Sequence, residues 1–276
     1  MSDKAPRSRF PLGLRQLSLG SPSSAGARSV GNEVLRPQRM LHEGARDAAR
    51  GVSPSGVGMD SSQVRMRMCD RLRAAGLGNE QVLAALGTVP RHLFVDTALV
   101  AQAYEDTSLP IGWEQTISKP SVVARMLGLL FDGRSASATG TLGRTLEVGT
   151  GCGYQTALLA LLSRRVLSVE RLKPLHDKAR EHVQDWRRHD IRLVFGDGRL
   201  GHAPNAPYDS IIAAAGGNDL PEAWLAQLAE GGRLVAPRWD AAQGGQVLVV
   251  LDKLNGVCTQ HSVDAVHFVP LKSGTE

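Results

Sequence analysis

The sequence predicts an α/β fold: a doubly wound, mainly parallel sheet with an added N-terminal helical and irregular part. Three observations carry this. From residue 144 onward, short β-branched or apolar runs alternate with segments of helical spacing, the pattern of βαβ units. Closely spaced glycines, Gly149, Gly151 and Gly153, join the first such strand to the first such helix, where doubly wound folds bind ligands. The 276 residues suffice for one large domain with an appendage.

The elements follow in order. Val64, Met68, Leu72 and Ala75 keep a helical stripe that Gly76 ends. Asn79 is an N-cap for a short helix over 82–86, closed by Gly87. The run from Val89 to Val95 leads into an irregular stretch reaching Ile117. Helical spacing resumes at Val122, Met126, Leu127 and Leu130, with Pro120 just inside the start. A Gly/Ser/Thr-rich bridge over 132–143 separates this part from the alternating region. There, strands are expected over 145–148, 166–170, 191–195, 208–214, 233–236, 246–251 and 262–268, and helices over 154–162, 174–187 and 221–228. No helical segment parts the last two strands, so they should pair antiparallel.

Three divisions result: a basic tail over 1–60, an N-terminal subdomain over 61–143 and a core over 144–276. The tail is rich in Ser, Gly, Pro and Arg, with Phe10 its one aromatic residue. Such a segment buries too little surface to offset its ordering entropy and is expected to be mostly disordered. An organelle leader, or translation starting at Met59, are the other readings.

Charge and cysteine usage narrow the function classes. The formal net charge is +5. Nine Lys/Arg against five Asp/Glu put +4 of it in residues 1–60 and leave +1 for the remainder. A nucleic-acid groove would place the charge on the folded body, so no specific nucleic-acid partner is expected. The longest apolar run, 122–131, is broken by Arg125 and falls short of the ~18 residues of a membrane span. Three widely spaced cysteines without a C-x-x-C point to a reducing cytoplasm rather than a disulfide framework. The histidines show no metal-ligand spacing, so no metal is expected.

The run Leu146-Glu147-Val148-Gly149-Thr150-Gly151-Cys152-Gly153-Tyr154 is the strongest local signal. Its glycines allow a tight turn and close approach of a ligand. Free N–H groups at the following helix start favour an anion. The spacing is G-x-G-x-G, and Glu147 before it would repel a pyrophosphate but suit an ammonium. The combination fits a zwitterionic amino acid, such as the methionine end of S-adenosylmethionine. Glu170 ends the next strand, where doubly wound folds place an acid for ribose hydroxyls. Asp197, in Gly196-Asp197-Gly198, can accept from an adenine amine. NAD is the nearest rival cofactor.

Further motifs carry a resemblance. Val89-Pro90-Arg91-His92-Leu93-Phe94-Val95, Leu109-Pro110-Ile111-Gly112, Gln115-Thr116-Ile117-Ser118-Lys119-Pro120 and Val123-Ala124-Arg125-Met126 occur in that order. The glycine run extended to Ala157, Ser168-Val169-Glu170-Arg171, Gly196-Asp197-Gly198 and Phe268-Val269-Pro270-Leu271 follow. Together, over roughly 61–272, they resemble the protein-L-isoaspartate O-methyltransferase family. The resemblance implies a seven-stranded methyltransferase sheet and S-adenosylmethionine as co-substrate. It implies that Ser118 lies at the catalytic site and that Thr116 and Ile117 help enclose cofactor and peptide. The cofactor set is then Thr116, Ile117, Glu147, Gly149, Thr150, Gly151, Gly153, Tyr154, Glu170, Asp197 and Gly198. From the sequence alone Ser118 reads equally well as an N-cap. Lys119 and Ser121 stand where Gln and Tyr are usual in the family, Cys152 replaces a small residue, and Arg238-Trp239 replaces a Val-Gly-like pair.

The reaction implied is methyl transfer to the free carboxylate of L-isoaspartyl residues in damaged proteins and peptides; separately from the resemblance, a monomer is expected. Such a carboxylate has a pKa of about 4 and needs no general base, and no His–Asp or Cys–His pair is evident. Two other readings remain open: a methyltransferase acting on RNA or a small molecule, and a non-enzymatic module that binds through the basic tail.

Overall fold

In the computed structural model, residues 62–186 and 190–276 are described; the basic tail lies outside them. The first helix, α1 (Ser62–Ala74), buries Met68, Cys69 and Leu72. Gly76, at φ 69°, lets the Leu77 N–H reach the Leu72 carbonyl, a left-handed helix closure open to glycine. The next, α2 (Glu80–Thr88), starts as expected at Asn79, whose side chain accepts the Val82 N–H at 2.9 Å. Gly87 does not end it. The helix runs to Thr88, where Pro90 forces Val89 into an extended conformation. Gly87 instead lies against α1, where a Cβ would be in ordinary contact with the sulfurs of Met66 at 3.5 Å and Cys69 at 3.7 Å.

The stretch expected to be irregular holds two 3-10 turns, Arg91–Phe94 and Thr97–Gln102, and an antiparallel hairpin. Its strands are β1 (Leu109–Gly112) and β2 (Gln115–Ile117). They are too short to show alternation in sequence. Their turn also lacks the usual glycine, since Trp113 (φ 50°) and Glu114 (φ 57°) occupy the left-handed positions themselves.

Helix α3 (Pro120–Phe131) follows, with Pro120 in its first turn. Its N-cap is Lys119, which makes no side-chain cap bond, so the capping alternative for Ser118 is set aside. Asp106 does the capping from a distance: its two carboxylate oxygens accept the Ser121 N–H and hydroxyl, both at 2.8 Å. The bridge over 132–143 contains one further helix, α4 (Arg134–Thr139), closed by Gly140 at φ 68°.

The alternating region then forms β3 (Arg144–Val148), α5 (Tyr154–Leu162), β4 (Arg165–Glu170), α6 (Lys173–His182), β5 (Ile191–Phe195), β6 (Tyr208–Ala213), β7 (Ala215–Gly216), α7 (Glu222–Gln227), β8 (Leu228–Asp240), β9 (Gly245–Leu254), β10 (Val257–Val266) and β11 (Val269–Pro270). The helix expected over 174–187 is shorter: α6 gives way after His182 to a 3-10 turn, Gln184–Trp186. The last long strand begins earlier than expected, because Asn255 (φ 52°) and Gly256 (φ 75°) make a two-residue hairpin turn. Asn-Gly is a strong sequence signal for that turn and locates it.

Seven strands form one sheet in the order β10-β9-β8-β6-β3-β4-β5. It is parallel except at β9, which runs antiparallel to β8 and β10. The order reverses direction at β3, between β4 and β6, which makes the ends of β3 and β6 a topological switch point. Both faces are covered. Helices α1, α2, α3 and α5 pack with Val166, Ile212, Val235 and Val250 on one side. Leu146, Val148, Ile211 and Trp224 form the core of the other. All described residues fall within one compact unit.

Candidate active site

Three parallel strands, β4, β3 and β6, end side by side, and the loops that leave them build the site. After β3 the chain turns through Gly149 (φ 89°), Gly151 (φ 56°) and Gly153 (φ 89°), a region in which L side chains are strained. The three glycine amides are already paired, so the anion-favouring N–H groups expected at the helix start are left to the first turn of α5. The glycine amides donate to the Val169 carbonyl, the Glu170 carboxylate and the Thr150 carbonyl. The first bond back from α5 is Ala157 N–H to Gly153. Any anion-binding amides therefore lie in the turn just before Ala157.

A cavity of about 190 Å³ opens at these strand ends. Gly149 and Gly151 line it from β3, Glu170 from β4, Ala214 from β6 and Thr116 from the hairpin. Val148, Val169, Leu172 and Leu175 give it an apolar wall. Glu170 is 5% exposed. Its oxygens accept the N–H groups of Gly151 and Leu172, both at 2.9 Å, which fixes the carboxylate and leaves lone pairs for a ligand. Gly198 also lines this cavity; a Cβ there would sit 2.5 Å from Val148 Cγ1.

Thr116 also lines three neighbouring cavities. One is small, about 40 Å³, between Ile117, Ser118, Thr150, Gly151 and Tyr154. Another, about 550 Å³, is an outer cleft between Ser118, Lys119 and the segment from Ala265 to Val269. Ser118 lines both, so it stands where the glycine-loop side meets the outer cleft. Its carbonyl accepts from Arg91 at 2.8 Å. Among the departures noted above, Lys119 is on the outer wall, whereas the Ser121 hydroxyl is tied to Asp106. Trp239, 47% exposed, lines a third cavity of about 930 Å³ together with Arg199 and Phe268.

Three of the expected cofactor residues line none of these cavities. Glu147 is fully buried, accepting from Thr156 at 2.5 Å and Gln155 at 3.1 Å. Strand alternation turns it away from Leu146 and Val148, so it braces the glycine-loop helix from beneath. Burial pushes its carboxyl up to about 7, against the pull of hydrogen bonds from Thr156, Ser168 and Gln155. Gly153 serves packing: a Cβ there would lie 2.9 Å from Val183 Cγ1. Asp197 spends its oxygens on the N–H groups of Arg199, at 2.8 Å, and Gly274, at 2.7 Å.

The wall also has residues that sequence reasoning missed. Val269, Pro270, Leu271 and Lys272 face the glycine loop across the 190 Å³ cavity, because β11 pairs with β7 directly after β6. Ala213-Ala214-Ala215-Gly216 was the available signal, since small residues at a strand end permit close approach. Glu114 was missed with its hairpin, yet it lines both the 190 Å³ and the 930 Å³ cavity.

Comparison with known proteins agrees with this architecture. The family model of protein-L-isoaspartate(D-aspartate) O-methyltransferase matches residues 63–276. A protein-L-isoaspartate O-methyltransferase of Methylibium petroleiphilum is 56% identical over 272 residues, 98% of both chains. One from Leptothrix cholodnii is 56% identical over 283 aligned positions, covering all of this chain and 98% of its own. Among solved structures, a Plasmodium falciparum chain described as a beta-aspartate methyltransferase, in complex with S-adenosyl-L-homocysteine, shares the fold with a TM-score of 0.64. It is 24% identical and aligns over 75% of this chain and 98% of its own. A switch-point cavity at a glycine loop, inside a chain matched almost end to end by such relatives, makes this protein a member of the protein-L-isoaspartate O-methyltransferase family.

Proposed function

We propose that the chain transfers a methyl group from S-adenosylmethionine to the free carboxylate of L-isoaspartyl residues in damaged proteins and peptides, with Ser118 orienting that carboxylate. The observation that carries the reading is the position of Ser118, on the walls of both the glycine-loop cavity and the outer cleft.

The residues present fit the co-substrate. Gly149 and Gly151 border the 190 Å³ cavity with bare backbone, and their φ angles of 89° and 56° disfavour any side chain there, so a ligand can approach the loop closely. The apolar wall of Val148, Val169, Leu172 and Leu175 suits an adenine ring. The fixed Glu170 carboxylate suits ribose hydroxyls. When bound, the co-substrate supplies a methyl group on a positively charged sulfur.

The acceptor carboxylate is ionised at neutral pH and needs no proton removed. The protein's task is alignment, which can supply up to roughly 7–11 kcal/mol of a barrier. A hydroxyl such as that of Ser118 can hold a carboxylate by hydrogen bonding without cancelling its charge. A guanidinium on the reacting oxygens would stabilise the ground state instead. Thr116, shared by all four cavities, separates the two substrates. The methyl ester then leaves the site, and its cyclisation to a succinimide needs no residue of this chain. Three free cysteines suit a reducing compartment such as the cytoplasm.

The test is a paired-peptide assay. The protein should methylate an isoaspartyl peptide and ignore its aspartyl twin, and Ser118→Ala should lose most turnover while still binding S-adenosylhomocysteine. Equal methylation of both peptides, or preference for an RNA acceptor, rejects the assignment.

A further inference from the structure

Arg91 has no exposed surface, and no carboxylate among the described residues forms a salt bridge with it. Burying a cation without a counter-ion is costly. If the position served packing alone, an apolar side chain of similar length would do so at less cost. The hydrogen bonds show what the guanidinium does. Its Nε donates to the Ala103 carbonyl and its Nη2 to the Ser118 carbonyl, both at 2.8 Å. Its Cζ lies 5.0 Å from the centroid of the Tyr154 ring, within cation–π range. Tyr154 is the first residue of α5, directly after the glycine loop. One buried side chain therefore touches both the serine-bearing segment and the helix that the glycine loop opens.

Neighbouring side chains pack around this contact. Phe94 packs edge-on against Tyr154, with centroids 5.5 Å apart, and likewise against His182. His182 hydrogen-bonds the Cys152 carbonyl in the glycine loop through Nδ1 at 2.8 Å. Ser118 has no comparable support of its own: it lies between the end of β2 and the Lys119 N-cap, and its hydroxyl caps nothing. We propose that Arg91 is a positioning residue for methyl transfer, fixing the Ser118 backbone against the glycine-loop helix so that the serine hydroxyl meets the acceptor carboxylate in register with the donor. The inference rests on the role given to Ser118 above.

The planar fork matters as well as the charge. It reaches two carbonyls at once while its face covers the Tyr154 ring. A lysine ammonium, as a compact point charge, cannot do both.

The experiment is a double-mutant cycle on the full chain with an isoaspartyl peptide: wild type, Arg91→Met, Ser118→Ala and the combination. Each is read for kcat, for peptide KM and for S-adenosylhomocysteine affinity by calorimetry. Arg91→Met should lower kcat by about tenfold or more, as small misplacements near reacting groups do. Donor-product affinity should stay within about threefold, because the glycine loop keeps its own hydrogen bonds. In the Ser118→Ala background the same change should cost less than about threefold further, since no hydroxyl is left to position. Arg91→Lys, which keeps the charge, should fall between and substitutes for Arg91→Met if that variant does not fold. If Ser118→Ala loses turnover but the Arg91 effect is equally large in both backgrounds, the positioning role is overturned and the serine role survives. If Ser118→Ala keeps its turnover, the serine role fails and the Arg91 inference with it. Loss of kcat in step with donor-product affinity would mean that Arg91 is only a structural staple.

Discussion

Thr156 donates its hydroxyl hydrogen to Glu147 Oε2 at 2.5 Å, and both residues are fully buried. The bond joins the central strand to the helix behind the glycine loop, and it makes that joint sensitive to pH. Burial raises the Glu147 carboxyl from an ordinary 4.5 to about 7, so the folded state binds more protons than the unfolded chain between those values. Stability from this group is therefore fully present below pH ~4.5 and is lost as pH rises through about 7, by on the order of 3 kcal/mol. Glu147→Gln keeps an oxygen for Thr156 and removes the titration. Relative to wild type, its melting temperature should climb as pH rises from 5 to 8. Parallel melting curves for the two proteins across that range would contradict the assignment.

Capping gives a second comparison. Asp106 holds the start of α3 by two hydrogen bonds to Ser121, and Ser118 holds none of it. Asp106→Ala should cost about 1 kcal/mol in urea denaturation, the usual value for a lost cap. Ser118→Ala should leave the denaturation midpoint almost unmoved while depressing turnover. A Ser118→Ala protein as destabilised as Asp106→Ala would show that the serine is structural after all.

The segment after β11 yields a third. Gly274 donates its N–H to Asp197, and the side chain of Arg171 reaches the Gly274 carbonyl at 3.1 Å and the Glu276 carboxylate at 3.1 Å. Leu271 and Lys272 of the same segment line the 190 Å³ cavity. Gly274→Pro removes the N–H and excludes the observed φ of 74°. Calorimetry with S-adenosylhomocysteine should show a several-fold weaker affinity and little change in melting temperature. Unchanged affinity would separate this strap from the co-substrate wall.

Much of the chain was legible from local pattern. The bounds of α5 and β5, the Asn79 cap and the left-handed glycines of the loop follow from periodicity and from the φ angles that only certain residues tolerate. These features are encoded over spans of two to four residues, which is the reach of helix and strand repeats. The short hairpin holding Thr116 was not legible this way. Its strands are only four and three residues long, and non-glycine residues fill its turn.

The sequence by itself determined the alternation of strands and helices, the turn at the glycine loop and which residue types stand there. Tertiary structure alone decided where those residues point and what meets them. It placed Val269 and Pro270 beside Ala215 and Gly216, buried Glu147 beneath α5, tied Asp197 to Gly274 and set Arg91 between Ser118 and Tyr154. Apart from the Glu147 contact, which spans eight to nine residues, these contacts join segments distant along the chain. Such proximity arises when both faces of the sheet are buried at once, and no local repeat records it.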